Sequence, residues 1–357
     1  MSKPRLIAFY LPQFYPTPEN DEWWQKGFTE WTNVGRAKPL FRGHDQPRVP
    51  TDLGYYDLRV PEVREQQAEM AKETGIEGFC YWHYWFAGTR LLDRVFAEVL
   101  ASGKPDFPFC LCWANHSWQQ KTWDPTKPDK MLIEQTYPGI DDYKAHFYAM
   151  LPAFKDSRYM TVDGKPIFGV YSTHDFPDAK RFMDTWNELA KDNGLPGFYF
   201  FAFTYNAGDT EDLIVQGYNS TVLDNLLWLL RQKKKSKLAL AIRHITHRPF
   251  TFQYDYYIKS MMQLYKPSAT NHPCICPNFD HSPRSSWRGP VLVGHSPKNW
   301  EKLCGKIFDA CKSREHESNL VFIKAWNEWG EGNYLEPDYT FGDGFLKATR
   351  KAYDNNK

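Results

Sequence analysis

The stretch LVFIKAWNEWGEGNYLEP, residues 320–337, sets an apolar run, Leu320 to Ile323, directly against three glutamates, two tryptophans and two glycines. Carboxylates at the end of a buried strand cost free energy unless they are paired, hydrogen-bonded or kept for chemistry. The same arrangement, an apolar run ending in polar and aromatic residues, recurs along the chain. Candidate strands lie at 5–11, 76–82, 107–113, 166–171, 198–203, 220–224, 273–277 and 320–326. Their almost unbroken hydrophobicity is that of parallel strands covered on both faces. Helix-period segments lie between them at 60–74, 89–102, 141–154, 178–193, 298–314 and 343–354, with Pro61 at a first turn and Gly75 and Gly194 where left-handed stops belong. Eight strands alternating with helices predict an α/β fold, one (β/α)8 barrel of the TIM type, with residues 1–357 as a single catalytic domain.

In such a barrel the C-terminal strand ends converge on one mouth. Here they read Tyr10-Leu11-Pro12-Gln13, Tyr81-Trp82-His83-Tyr84-Trp85, Trp113-Ala114-Asn115-His116, Tyr171, Thr204-Tyr205-Asn206, Asn278-Phe279-Asp280-His281 and Trp326-Asn327-Glu328. The candidate substrate contacts are therefore Tyr10, Trp82, His83, Tyr84, Trp113, Asn115, Tyr171, Tyr205, Asp280, Trp326, Asn327 and, just beyond, Glu336. Two insertions, at about 14–58 and 225–272, exceed ordinary βα loops and are expected to shape the substrate groove.

Composition narrows the ligand. Lys plus Arg number 44 against 43 Asp plus Glu, which gives no electrostatic reason for a nucleic-acid partner. The run Lys233-Lys234-Lys235-Ser236-Lys237 reads as a solvated loop face. Aromatic residues make up 17% of the chain, 14 of them Trp, and rings close to acids suit the C–H faces and hydroxyls of a sugar. Seven cysteines, an odd and scattered set, read as reduced core thiols, including the pairs Cys110/Cys112 and Cys274/Cys276. The N-terminus lacks a signal-peptide pattern and no apolar run is long enough to span a bilayer, so the chain reads as soluble and cytoplasmic. No nucleotide-cradling glycine loop, Walker loop or Gly-x-Ser-x-Gly elbow occurs, and His83, His116 and His281 match no metal-ligand spacing. Neither cofactor nor metal is expected.

The chemistry centres on Glu328 and Glu331. If the chain turns helically past the eighth strand, their Cβ atoms come within about 5–6 Å, compatible with the carboxyl spacing of about 5–5.5 Å in retaining glycosidases. Two close carboxylates resist joint ionisation, so the pair divides into an acid and a base near neutrality. The plainer reading is a solvated loop with exposed acids; strand-end placement, the flanking tryptophans and the adjacent Asn327 favour catalysis.

The stretches IAFYLPQFYPTPENDEWWQKGFTEWTNV (7–34), GIEGFCYWHYWFAG (75–88), GKPDFPFCLCWANHSW (103–118), YMTVDGKPIFGVY (159–171) and AWNEWGEGNYLEPD (325–338) resemble the WbsX-like family, which is related to glycoside hydrolase family 99. The resemblance runs from residue 7 to about 345. CICPNFDHSPR (274–284) resembles the family's strand-seven motif, with Phe279 where Trp is common and His281 where Asn is common. The resemblance implies a (β/α)8 barrel acting on a carbohydrate. Its hydrolase relatives cleave α-mannosidic bonds with retention through a 1,2-anhydro sugar, which would make Glu328 the base on the 2-hydroxyl and Glu331 the acid/base. Three functions follow for comparison: a retaining α-glycoside hydrolase or transglycosidase acting on a surface polysaccharide, a glycosyltransferase of O-antigen or capsule assembly, and a silent glycan-binding barrel.

Overall fold

The computed structural model describes residues 3–121, 128–224, 226, 229 and 237–356, so most of the basic run at 233–237 lies outside the described residues. Eight parallel strands close into a barrel: β1 (Arg5–Tyr10), β2 (Ile76–Phe86), β3 (Phe109–Trp113), β4 (Lys165–Val170), β5 (Tyr199–Thr204), β6 (Ser220–Asp224), β7 (Asn271–Ile275) and β8 (Leu320–Ile323). β1 closes the ring by pairing with both β8 and β2, so that Ala8 stands opposite Ile323 on one side and Phe79 on the other. All eight segments expected as strands are barrel strands, and helices cross between them.

Two boundaries shift for local reasons. β2 carries an unbroken aromatic tail past the barrel rim, and Tyr84–Phe86 pairs antiparallel with Thr89–Leu91. The expected helix at 89–102 therefore starts only at Arg94. β8 ends at Ile323 rather than at 326; Asn327–Glu328 then pairs with Asn333–Tyr334 around one tight turn, Trp329–Glu331. The acids of the opening stretch thus stand on a two-strand ladder above the barrel.

The interior is aromatic. Phe9 lies against Phe203 and Phe322, and Phe322 against Phe201, with ring centroids 5.0–5.7 Å apart. Trp82 stacks on Phe9 at 4.6 Å and nearly parallel, closing the column at the C-terminal end. That indole is the floor of the mouth. The seven cysteines are free and buried.

The first insertion folds over this mouth as two short helices, Pro18–Trp23 and Glu30–Arg36, each capped by a threonine side chain, Thr17 and Thr29. In the second insertion the described helices are Lys237–Thr246 and Tyr254–Leu264, with strand Thr251–Gln253 paired to Val291–Val293. Among the described residues no helix is long and apolar enough to cross a membrane.

Candidate active site

Three elements bring charged side chains together above Trp82. The turn after β8 carries Glu328 and Glu331, the short helix Ser282–Ser285 after β7 carries Arg284, and the first insertion supplies Glu30. Arg284 Nη1 lies 2.6 Å from Glu331 Oε1 and 3.4 Å from Glu328 Oε1, while its Nε donates to Glu30 Oε2 at 3.1 Å. One nitrogen reaching both carboxylates keeps those oxygens within about 6 Å of each other, near the separation of about 5–5.5 Å that a retaining pair uses. Gln13, just after β1, steadies Glu30 by donating to its other oxygen at 3.0 Å.

The two acids do not share one protonation state. Burial, then the charge of Glu331, pushes the Glu328 carboxyl up to about 7. Burial opposes ionisation of Glu331 as well, but Arg284 foremost, with His281 and Lys324, outweighs it and holds this carboxyl below its usual range. Near neutral pH the pair therefore carries one shared proton in the free site, resting on Glu328. Lys324, immediately after β8, is kept protonated by Asp224 at the end of β6, 2.7 Å away, with both side chains buried.

The two glycines of the opening stretch have separate causes. A Cβ on Gly330 would sit 1.8 Å from Glu30 Oε2 and 3.0 Å from Arg284 Nε, so the turn must be bare where the ion cluster crosses it. Gly332 has φ +51°, and a Cβ there would lie 2.7 Å from the Asp280 side chain. The Asp280 main-chain N–H donates to the Glu331 carbonyl at 2.7 Å in the same place. Gly330 thus makes room for the Glu30–Arg284 pair, and Gly332 for the close approach of the β7 loop.

A cavity of about 570 Å³ opens over the pair, bounded on the barrel side by Trp82, Tyr84 and Tyr171 and on the outer side by Trp23, Trp24 and Phe28 of the first insertion. Of the fourteen positions singled out from sequence, Trp82, Tyr84, Tyr171, Glu328 and Glu331 line it. The other nine lie elsewhere. Strand alternation explains two of them, because residues between mouth-facing neighbours point outward. His83 sits 2.7 Å from His146 on the helix Ile140–Phe154, its pKa lowered to about 3 by burial, and Trp113 donates to the Trp85 carbonyl at 3.0 Å.

Loop backbone needs partners too, and that need claims the two asparagines. Asn115 exchanges hydrogen bonds with the main chain of Ser172, joining the β3 and β4 loops. Asn327 does the same with Leu11, tying the turn that carries Glu328 and Glu331 to the end of β1. Asp280 is fully buried and accepts from Gln46 at 2.6 Å and meets His44 at 2.7 Å; burial opposes its ionisation, but the His44 bond and the Arg48 charge hold it well below the carboxylate range. Glu336 accepts from Tyr56, Trp329 and Gln67, and Tyr10 donates to Gln67, so this network pins the indole that separates the two acids. Burial raises the Glu336 carboxyl to about 7 in spite of those three donors. Trp326 is buried against Phe79, and Tyr205 backs Tyr171.

Glu30, Arg284 and Lys324 are site residues that strand-end reading passes over. Each leaves a trace: a cation directly after the β8 apolar run, an arginine four residues past Asp280, and an acid in the first turn of a threonine-capped helix. Among the described residues no cluster of three or more His, Cys, Asp or Glu side chains is arranged to hold a metal ion.

Residues 6–349 match the family described as Glycosyltransferase WbsX. An uncharacterized protein WxcX of Xanthomonas campestris pv. campestris strain B100 is 36% identical over 354 residues, covering 97% of this chain and 49% of the relative. Its counterpart in a second strain is 35% identical with the same coverage. This chain spans about half the length of the curated relatives it matches. Among solved structures, a glycoside hydrolase-like protein aligns with a TM-score of 0.62 at 14% identity, over 99% of this chain and 94% of that one. A GH99 endo-alpha-mannosidase from Bacteroides thetaiotaomicron aligns at 0.58 and 13% identity, over 100% and 98%. At such identities the likeness speaks for the fold alone, the (β/α)8 barrel seen here. By its match over nearly the whole length, the chain belongs to the Glycosyltransferase WbsX family.

Proposed function

We propose that this chain is a carbohydrate-active enzyme that breaks an α-glycosidic bond with retention, of the mannoside type, within a surface polysaccharide. The observation that carries the reading is the pair Glu328 and Glu331, held at short range by one guanidinium over an aromatic floor. A sugar ring on Trp82 buries its C–H face while its hydroxyls meet carboxylates and the Arg284 donors.

The reaction runs through the substrate's own 2-hydroxyl. Glu328 takes the proton of that hydroxyl as its oxygen attacks the anomeric carbon, the glycosidic C–O bond breaks, and Glu331 protonates the departing oxygen. A 1,2-anhydro sugar results, and water or an acceptor hydroxyl opens it as the two carboxyls reverse roles. In the free site the proton rests on the other member of the pair. Substrate hydroxyls that draw Arg284 away from Glu331 remove what keeps Glu331 ionised, and the shared proton then passes to it.

Hydrolysis and transfer differ here only in the acceptor. The test is incubation of the purified chain with an α-mannan and with a bacterial surface polysaccharide, scoring new reducing ends. New ends are expected from wild type and not from Glu331→Gln. If wild type yields none while a sugar nucleotide raises its melting temperature and releases nucleotide, the protein is a donor-dependent transferase and the hydrolytic reading fails.

A further inference from the structure

The cavity over the acid pair continues into a second lobe of about 770 Å³, and the two share Lys121, Tyr171, His281, Lys324 and Glu331 as a common wall. The charge of the lobes differs. In the first, Glu30, Glu328 and Glu331 face cations of similar number. In the second, Lys121, Arg243, Arg288 and Lys324 line the space and Glu331 is the one carboxylate among the described lining residues. Lys121 is paired with Asp129 and Lys324 with Asp224, so the positive excess comes from Arg243 and Arg288 on the far wall. The chain as a whole carries a formal charge of only +1, so this is a local concentration of positive charge.

The far side of the lobe is built rather than incidental. The Arg243 guanidinium donates to the main-chain carbonyls of Trp287 and Arg288 and lies 4.6 Å over the Phe250 ring and 5.7 Å from that of Trp287. Arg288 lies over the same Trp287 ring at 4.4 Å. Two guanidinium groups thus share one indole, and carbonyls together with ring faces hold that of Arg243 in orientation. Their mutual repulsion is felt: burial, then the charge of Arg288, lowers the Arg243 pKa. Cations gathered in a cleft with low-dielectric walls attract an oxyanion, and planar guanidinium donors match phosphate and carboxylate oxygens.

We propose that this second lobe is a subsite for an anionic group of the substrate, a phosphoryl or carboxylate oxyanion carried next to the sugar that sits on the acid pair. The proposal rests on the reading that the first lobe holds a sugar. Such a group has two sources: a uronate or phosphate ester within a charged glycan, or the diphosphate of an activated sugar donor. Neutral mannan then occupies only half of the binding surface.

Calorimetric titration of the full chain at low salt separates these cases, because it reads binding without turnover. The probes are methyl α-mannoside, methyl glucuronoside, mannose 1-phosphate and inorganic pyrophosphate. At least one anionic probe is expected to bind about tenfold or more tighter than the neutral mannoside. That advantage should disappear at high salt and in Arg243→Gln, with mannoside binding unchanged. Pyrophosphate as the tightest ligand assigns the lobe to an activated donor; glucuronoside or mannose 1-phosphate assigns it to a charged glycan. If Arg243→Gln fails to fold, Arg288→Gln and the salt series on wild type give the same reading. Equal affinity for neutral and anionic sugars at low salt, or no measurable binding of any anionic probe, overturns the proposal. The reducing-end assay is unaffected by that outcome.

Discussion

Replacement of Glu331 by Gln is expected to lower turnover by about 10²–10⁴-fold, the usual contribution of a positioned acid or base, with the fold intact. Gln keeps the shape and an oxygen for Arg284, so the loss is one of proton transfer. Glu328→Gln should cost as much, but the two variants should differ with the leaving group. An activated aryl glycoside needs no protonation, so it should restore much of the rate to Glu331→Gln and little to Glu328→Gln. Stability supplies an independent readout. The Glu328 carboxyl titrates near 7 in the folded chain, above its unfolded value of about 4.3. A raised pKa favours the folded state fully below about 4.3, and that contribution is lost as pH rises towards 7. Wild type should therefore lose stability relative to Glu328→Gln across this window, read by urea unfolding at a series of pH values. Glu336 titrates in the same range but is common to both proteins. Equal turnover in wild type and either variant would remove the acid pair from the mechanism.

Arg284→Gln should be the most damaging change to the site's structure. One guanidinium compensates Glu30, Glu328 and Glu331, and breaking a buried pair costs about 3–5 kcal/mol. The Arg284 side chain is 23% exposed, so the lower part of that range applies. The sign follows from Glu331, whose folded pKa is depressed. Its stabilisation is present above the unfolded value and is lost as pH falls through the folded one. The destabilisation by Arg284→Gln should therefore be large at pH 7 and shrink in acid, as measured by denaturant midpoints at the two pH values. Activity should change as well, because without the guanidinium the Glu331 carboxyl titrates at higher pH and the acidic limb of the rate profile moves upward. Arg284→Lys keeps a charge but offers no planar fork to span three carboxylates, so it should recover part of the stability and little of the rate. A pH-independent loss of stability would contradict the electrostatic role.

The barrel was legible because each parallel strand is covered on both faces and so reads as an apolar run, and because helices such as Pro61–Thr74 carry their own start and stop residues, with Gly75 left-handed at φ 88°. The acid pair was legible for a related reason: a polar cluster directly after such a run needs an explanation. The remaining contacts were harder to read. Residues at a strand end alternate between mouth and flank, so Trp82 and Tyr84 line the cavity while His83 between them pairs with His146. Asn115, Asn327 and Asp280 occupy the mouth's loops, but unsatisfied loop backbone and neighbouring side chains claim their hydrogen bonds. Glu30 and Arg284 are separated by 254 positions in the chain and meet only through the folding of the first insertion over the β7 loop. Neither has a local pattern that predicts the other.

The most direct test of a close carboxylate pair is the configuration of the first-formed product, followed by proton NMR as an α-linked substrate is consumed. Attack by the 2-hydroxyl and then by water inverts the anomeric centre twice, so the α anomer is expected to appear first and to mutarotate later. The β anomer as first product would mean inversion and would contradict that mechanism.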